Sequence, residues 1–164
     1  MEIIKQQKIT LFSSKTAIII IFWCCVVVDL VSKLLVVKYN SKSVLFNSGV
    51  AFSALSRNEI VPKVMMFVSV IIGIILLVIT IIKRTQTTTT FRIGMLLVSS
   101  GAFANGVDRF FNMIYNANGQ ASVTDFINYN NFVTGNIADI FVVLGSIMLA
   151  AAIILDVGEH ETRS

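Results

Sequence analysis

The sequence predicts an all-α membrane protein, with four transmembrane helices and a small extended, β-like extracytoplasmic loop region, folded as a single domain over residues 1–164. Three observations predict it. Hydrophobic residues make up 55% of the chain and charged residues 13%, with a mean hydropathy of +0.83, far from the roughly quarter-charged make-up of soluble domains. Four windows, 16–37, 64–82, 91–111 and 137–155, are apolar and long enough to cross about 30 Å of hydrocarbon as helices. Most of the thirteen Lys and Arg lie in short segments flanking those windows, so the net charge of +4 reports membrane orientation rather than nucleic-acid binding. No Pro- or Gly-rich linker and no internal repeat divides the chain.

The first window follows Lys5, Lys8 and Lys15 but is longer than a signal-peptide core and lacks a small-x-small exit, so it is expected to be a retained span. Its adjacent Cys24 and Cys25 cannot bridge without strain and have no metal-binding companions, which leaves buried packing. The connection between the second and third windows is short and carries Lys83, Arg84 and Arg92 with no acid. Together with the N-terminal lysines it belongs in the cytoplasm, and both termini follow it there. The longer connections, 38–63 and 112–136, then lie outside, which points to work at the outer face. The first of them, with SVLFNSGVAFSAL, reads as short extended pieces around a Gly turn. Its Leu45, Phe46, Val50, Phe52 and Leu55 suit lipid or a lipid-bearing partner, and Phe52 and Leu55 are candidates for a lid. The only histidine, His160, sits in a polar tail and receives no role.

Against this apolar background the carboxylates stand out, because a charged Asp near the bilayer centre costs about 2.5–3.5 kcal/mol on the insertion scale. Asp29 and Lys33 are four apart on the first helix and share a face, so an internal ion pair is one explanation. Lys33, nearer the helix end, is expected to snorkel to the interface. Asn105, Asp108 and Arg109 form an i, i+3, i+4 stripe on the third helix, with Arg109 a local counter-charge for Asp108. Gly101, Ala102 and Ala104 just before them admit a close neighbour helix. Asp125 lies among apolar residues with no Lys or Arg within fifteen positions. Asp139 follows Asn136 by three at the start of the fourth helix, an arrangement like a capping box that needs no catalytic duty.

Function enters when Asp125 and Asp139 are taken together, since both belong near the outer ends of the third and fourth helices. Two carboxylates within hydrogen-bonding reach do not both ionise easily, so one keeps a proton while the other serves as base toward a water, as in aspartic proteases. No Ser-His, Cys-His, HExxH or phosphate-cradling motif competes, and neither metal nor cofactor is expected.

In order, these segments resemble the lipoprotein signal peptidases, the type II signal peptidases of bacteria. Asp29 and Lys33 match D-x-x-x-K, and Asn47, Gly49, Ala51 and Phe52 match N-x-G-A-A-F. Asn105, Asp108 and Arg109 match G-N-x-x-D-R, Asp125 and Phe126 match V-D-F, and Asn136, Ala138 and Asp139 match F-N-x-A-D. The resemblance spans about 29–145. Val50, Ala104, Thr124 and Gly135 depart from the pattern, which bears on substrate fit rather than on chemistry.

What the resemblance implies is an aspartyl endopeptidase of the bacterial cytoplasmic membrane that acts as a monomer. Its substrates would be prolipoproteins carrying diacylglycerol on the cysteine that follows the cut bond. Asp125 and Asp139 correspond to the catalytic pair, and Asp29, Asn47, Asn105, Asp108, Arg109 and Asn136 to positions that shape the site or contact substrate. Either acid can begin as the base, with the helix N-terminus favouring Asp139. Asn47 and Asn136 are candidates for holding substrate backbone. Two rivals remain: a proton-coupled transporter relaying through Asp29 and Asp108, and a scaffold in which polar residues only glue helices.

Overall fold

The computed structural model describes residues 14–48, 60–115, 119–130 and 133–161, with side chains to 155. Its elements run α1 (Lys15–Tyr39), β1 (Leu45–Asn47), α2 (Ile60–Ile82), α3 (Thr89–Tyr115), β2 (Val123–Asp125), β3 (Ile127–Tyr129), β4 (Val133–Gly135) and α4 (Ile137–Glu161). All four helices extend past the expected windows. α1 begins at the N-cap Ser14, whose side chain accepts from Ala17 N, and ends where the Asn40 amide closes on Val36 O. Pro62 falls in the first turn of α2, where its missing N–H has no helical partner to lose.

α1, α2 and α4 are each long and apolar enough to cross a membrane. Their outer faces are uncovered hydrocarbon. Ile20, Trp23, Val27 and Leu34 of α1, Phe67, Ile71 and Ile75 of α2, and Ile147, Ile153 and Ile154 of α4 are all exposed, an apolar surface that water does not tolerate and lipid does. α1 buries only the stripe Ile18, Phe22, Val26, Asp29 and Lys33, spaced as one helical face. Cys24 lies on the exposed side and Cys25 is half-buried, so the expectation of two buried packing thiols is corrected for Cys24: the inward stripe passes it by.

α3 differs. It is the hub on which α1, α2 and α4 all pack, while α1 touches α2 only slightly. Enclosed by protein, it can bury Ser99, Ser100, Asp108 and Arg109 beside Leu96 and Ala104, and this makes it less apolar than its neighbours. Among the described residues, three helices rather than four are therefore long and apolar enough to cross a membrane. Close approach sets the packing: a Cβ on Gly101 would lie 2.5 Å from Ala138 O, so α4 rests directly on the α3 backbone. On the other side Ser99 Oγ donates to Gly73 O at 2.8 Å, tying α3 to α2.

Beyond the bundle, β1 pairs antiparallel with β2 in the register Leu45↔Asp125, Phe46↔Thr124 and Asn47↔Val123. β3 and β4 form a second antiparallel pair that turns through Asn130 at φ +52°, a left-handed conformation Asn tolerates. Phe126 N donates to Gly135 O at 2.9 Å and joins the two pairs. Leu45 and Phe46 are exposed as expected. Gly49, Val50, Ala51, Phe52 and Leu55, and with them the Gly turn and the lid, lie outside the described residues.

Candidate active site

α1, α3 and α4 deliver charge to one interior point. Lys33 Nζ lies 2.8 Å from Asp29 Oδ2 and 3.1 Å from Asp108 Oδ2, and it donates to Asn105 Oδ1 at 2.8 Å. With 3% of its surface exposed, Lys33 does not snorkel; the three acceptors waiting inside hold it more firmly than the interface would. Asp108 thus meets Lys33 from another helix, besides its neighbour Arg109, whose charge it also faces. Arg109 donates to Ala121 O at 3.0 Å. Asp29 spends its other oxygen on Ala138 N, 2.7 Å away, and so caps the N-terminus of α4 from a different helix.

The end of α3 then grips the strand that carries Asp125. Asp108 accepts from Thr124 N at 2.7 Å and from Thr124 Oγ1 at 3.1 Å. Asn112 Nδ2 reaches Asp108 Oδ1, Ser122 O and Thr124 Oγ1 at 3.1, 2.8 and 2.9 Å. Asn112 and Thr124 did not figure among the sequence candidates, although Asn112 sits one helical turn after Asp108 and Thr124 immediately precedes Asp125.

Asp125, with 2% of its surface exposed, accepts from Asn47 Nδ2 at 3.1 Å and from Asn136 Nδ2 at 2.8 Å. Asp139 accepts from Asn105 Nδ2 at 2.9 Å and from Asn136 N at 3.1 Å, and its own amide donates to Asn136 Oδ1 at 3.0 Å. The last two bonds form the reciprocal cap that the N-x-x-D spacing suggests. Asn136 thus touches both acids, by side chain on one and backbone on the other. It is fully buried, and its amide donates to Asp125 and accepts from Asp139 N. The amide nitrogen of Asn47 is likewise turned to Asp125.

Both acids open on one cavity of about 670 Å³. Asn47, Asn105 and Arg109 share its polar wall; Met65, Tyr129, Val133, Ile140, Val143 and Leu144 supply apolar wall. Val143 and Leu144 are also exposed on the outside of α4, so the wall continues onto the lipid-facing surface. Gly135 lets the strand approach the acid closely, since a Cβ there would stand 2.9 Å from Asp139 Oδ2. Burial pushes the Asp125 carboxyl up to about 6; Asp139's charge adds to the rise, while the bonds from Asn47 and Asn136 and the charge of Lys33 oppose it. Among the described residues no group of His, Cys, Asp and Glu is suited to hold a metal ion.

Of the sequence candidates, Asp29, Lys33, Asn47, Asn105, Asp108, Arg109, Asp125, Asn136, Ala138 and Asp139 all meet in this network or its cavity, while Gly49 and Phe52 lie outside the described residues.

Fold and site together define a helical membrane protein with an acid-bearing cavity at one end of its bundle, continuous with a lipid-facing surface. The sequence pattern of signal peptidase (SPase) II matches residues 19–155. The lipoprotein signal peptidase of Clostridium novyi (strain NT) is 38% identical over 111 residues, 65% of this chain and 67% of that protein. That of Chlamydia felis (strain Fe/C-56) is 34% identical over 107 residues, 63% of this chain and 58% of that protein. The match therefore spans less than two thirds of the Chlamydia relative's length. A solved bacterial membrane enzyme, determined by the in meso method at 2.3 Å, superposes with a TM-score of 0.69 at 22% identity, covering 88% of this chain and 91% of that one, which shows a shared fold. The chain belongs to the signal peptidase II family, a family of membrane proteases that process lipoproteins.

Proposed function

We propose that this protein is an aspartyl endopeptidase that removes the signal peptide from diacylglyceryl-modified prolipoproteins, with Asp125 and Asp139 as its catalytic pair. The observation that carries the proposal is the bridging of both acids by Asn136 on the wall of one cavity. Asp139 starts as the base: it sits in the first turn of α4, where the helix dipole favours an anion, and both of its oxygens accept from N–H groups. Asp125, raised by burial, starts as the acid.

A water held between them loses a proton to Asp139 as its oxygen attacks the carbonyl carbon before the lipidated cysteine, and Asp125 gives its proton to the carbonyl oxygen. When the tetrahedral intermediate collapses, the C–N bond breaks. The proton on Asp139 passes to the departing amine of the cysteine, and Asp125 takes back the hydroxyl proton as the new carboxyl forms. Both acids return to their starting states.

The substrate is a membrane-held helix with a lipid beside its cut site, and Val143 and Leu144 lead such a ligand from lipid to the acids. α3 crosses the bilayer as the fourth span in this reading; its 27 residues are about 40 Å long at 1.5 Å per residue, and its lower hydropathy follows from enclosure. The whole chain acts as one domain and one protomer in the cytoplasmic membrane, with both termini inside and the cavity at the outer face. The connection bearing Lys83, Arg84 and Arg92 stays inside, where Arg92 donates to Arg84 O and Thr89 Oγ1. The transporter alternative is disfavoured because its relay residues, Asp29 and Asp108, are both engaged by Lys33.

The test is cleavage of a diacylglyceryl-modified precursor by purified protein, beside an unmodified control. Asp125→Asn and Asp139→Asn should each abolish turnover while the protein stays in the membrane; turnover retained by either variant refutes the assignment.

A further inference from the structure

We propose that Lys33 is a positioning residue for the reaction, acting on Asp139 through Asn105; this rests on the aspartyl reading above. An ammonium has three donors and no acceptor, so the end of the Asn105 amide that faces Lys33 Nζ at 2.8 Å must be its carbonyl. The NH₂ end is thereby turned to Asp139 Oδ1, 2.9 Å away. Were Asp139 to hold a proton on Oδ1, Asn105 would have to rotate and offer its carbonyl, which would aim NH₂ at the ammonium. Lys33 penalises that arrangement and so keeps Oδ1 ready to receive a proton from water.

Lys33 is itself fixed on two sides, by Asp29 at 2.8 Å and Asp108 at 3.1 Å, and Asp29 also caps Ala138, the residue before Asp139. Among the described residues, the charged and titratable groups around Asp139 are then Lys33 and Asp29 from α1, Asp108 and Arg109 from α3, Asp125 from β2 and Tyr129 from β3. Of these, Lys33 alone reaches Asp139 through an amide whose direction it dictates in the hydrogen bonds described here.

The experiment is the pH dependence of kcat/KM and kcat for a diacylglyceryl-modified precursor. Lys33→Gln alone leaves Asp29 and Asp108 short of a cation and risks misfolding, so Asp29→Asn/Lys33→Gln is compared with Asp29→Asn; the Asn oxygen can still accept from Ala138 N. Gln can accept as well as donate, which frees Asn105 to rotate. The acidic limb of the profile is expected to move up by about one pH unit, lowering the rate about tenfold on the acid side, with the deficit against Asp29→Asn closing as pH rises. Asn105→Ala keeps every charge in place while removing one acceptor of Lys33 and the donor to Asp139, and it should move the same limb; if the Lys33 variants do not accumulate, an unmoved limb in Asn105→Ala is enough to overturn the proposal. An unmoved limb, or an equal loss at every pH, overturns the proposal. Asp125→Asn or Asp139→Asn with turnover intact breaks the aspartyl reading instead; both inactive beside an unmoved limb breaks this inference alone.

Discussion

Replacing Asp125 by Asn separates the electrostatics of the cavity from its packing. The Asp125 carboxyl rises from 3.8 to about 6 on folding, chiefly through burial. A folded-state value above the unfolded one means that the stabilisation is complete below about pH 3.8 and is lost as pH climbs through 6. At about 1.36 kcal/mol per unit, ionised Asp125 leaves the protein about 3 kcal/mol less stable than the acid limit, relative to a group that does not titrate. Asn does not titrate. It does set an NH₂ against the donors of Asn47 or Asn136, a cost of about 1–3 kcal/mol that is the same at every pH.

The informative quantity is therefore the stability of Asp125→Asn minus that of the natural chain, which should rise by about 3 kcal/mol from about pH 3.5 to about pH 7.5. Reversible unfolding in mixed micelles measures it, followed through Trp23, whose ring meets Phe22 and Phe103 where α1 packs on α3. A flat or falling difference refutes the reasoning. The same variant should cut precursor cleavage by at least about 10³-fold, within the range for losing a positioned acid.

Three further outcomes follow from contacts already described. Gly135→Ala should lower kcat by about tenfold or more with little change in unfolding, because the added carbon meets the Asp139 carboxylate at 2.9 Å; unchanged kinetics would show that the acid can shift freely. Gly101→Val should destabilise by about 1–3 kcal/mol and reduce turnover as α4 is pushed away, read by unfolding and by cleavage together. For the natural chain, kcat/KM should fall on the alkaline side with an apparent pKa near 6 as the acid of the pair ionises; a profile still rising above pH 8 would contradict Asp125 as acid.

The residues by themselves determined a great deal here. Composition and apolar length made the chain a membrane protein, and the Asn136 to Asp139 spacing foretold a cap, because hydropathy and helix-end chemistry are local properties. Local patterning also put Asp29 and Lys33 on one face. It could not say where that face points, and so it sent Lys33 to the interface and offered Asp108 only the neighbouring Arg109.

Only the tertiary structure brought Lys33, Asp108 and Asn105 together, since each partner of that ammonium beyond Asp29 lies on another helix more than seventy residues away. The same holds for Asn47 beside Asp125 and for Asp29 on the first turn of α4, separations of 78 and 109 residues. The physical reason is that a buried charge takes whichever partners the folded bundle sets within reach, and in a medium without water those partners outweigh a preference read along one helix.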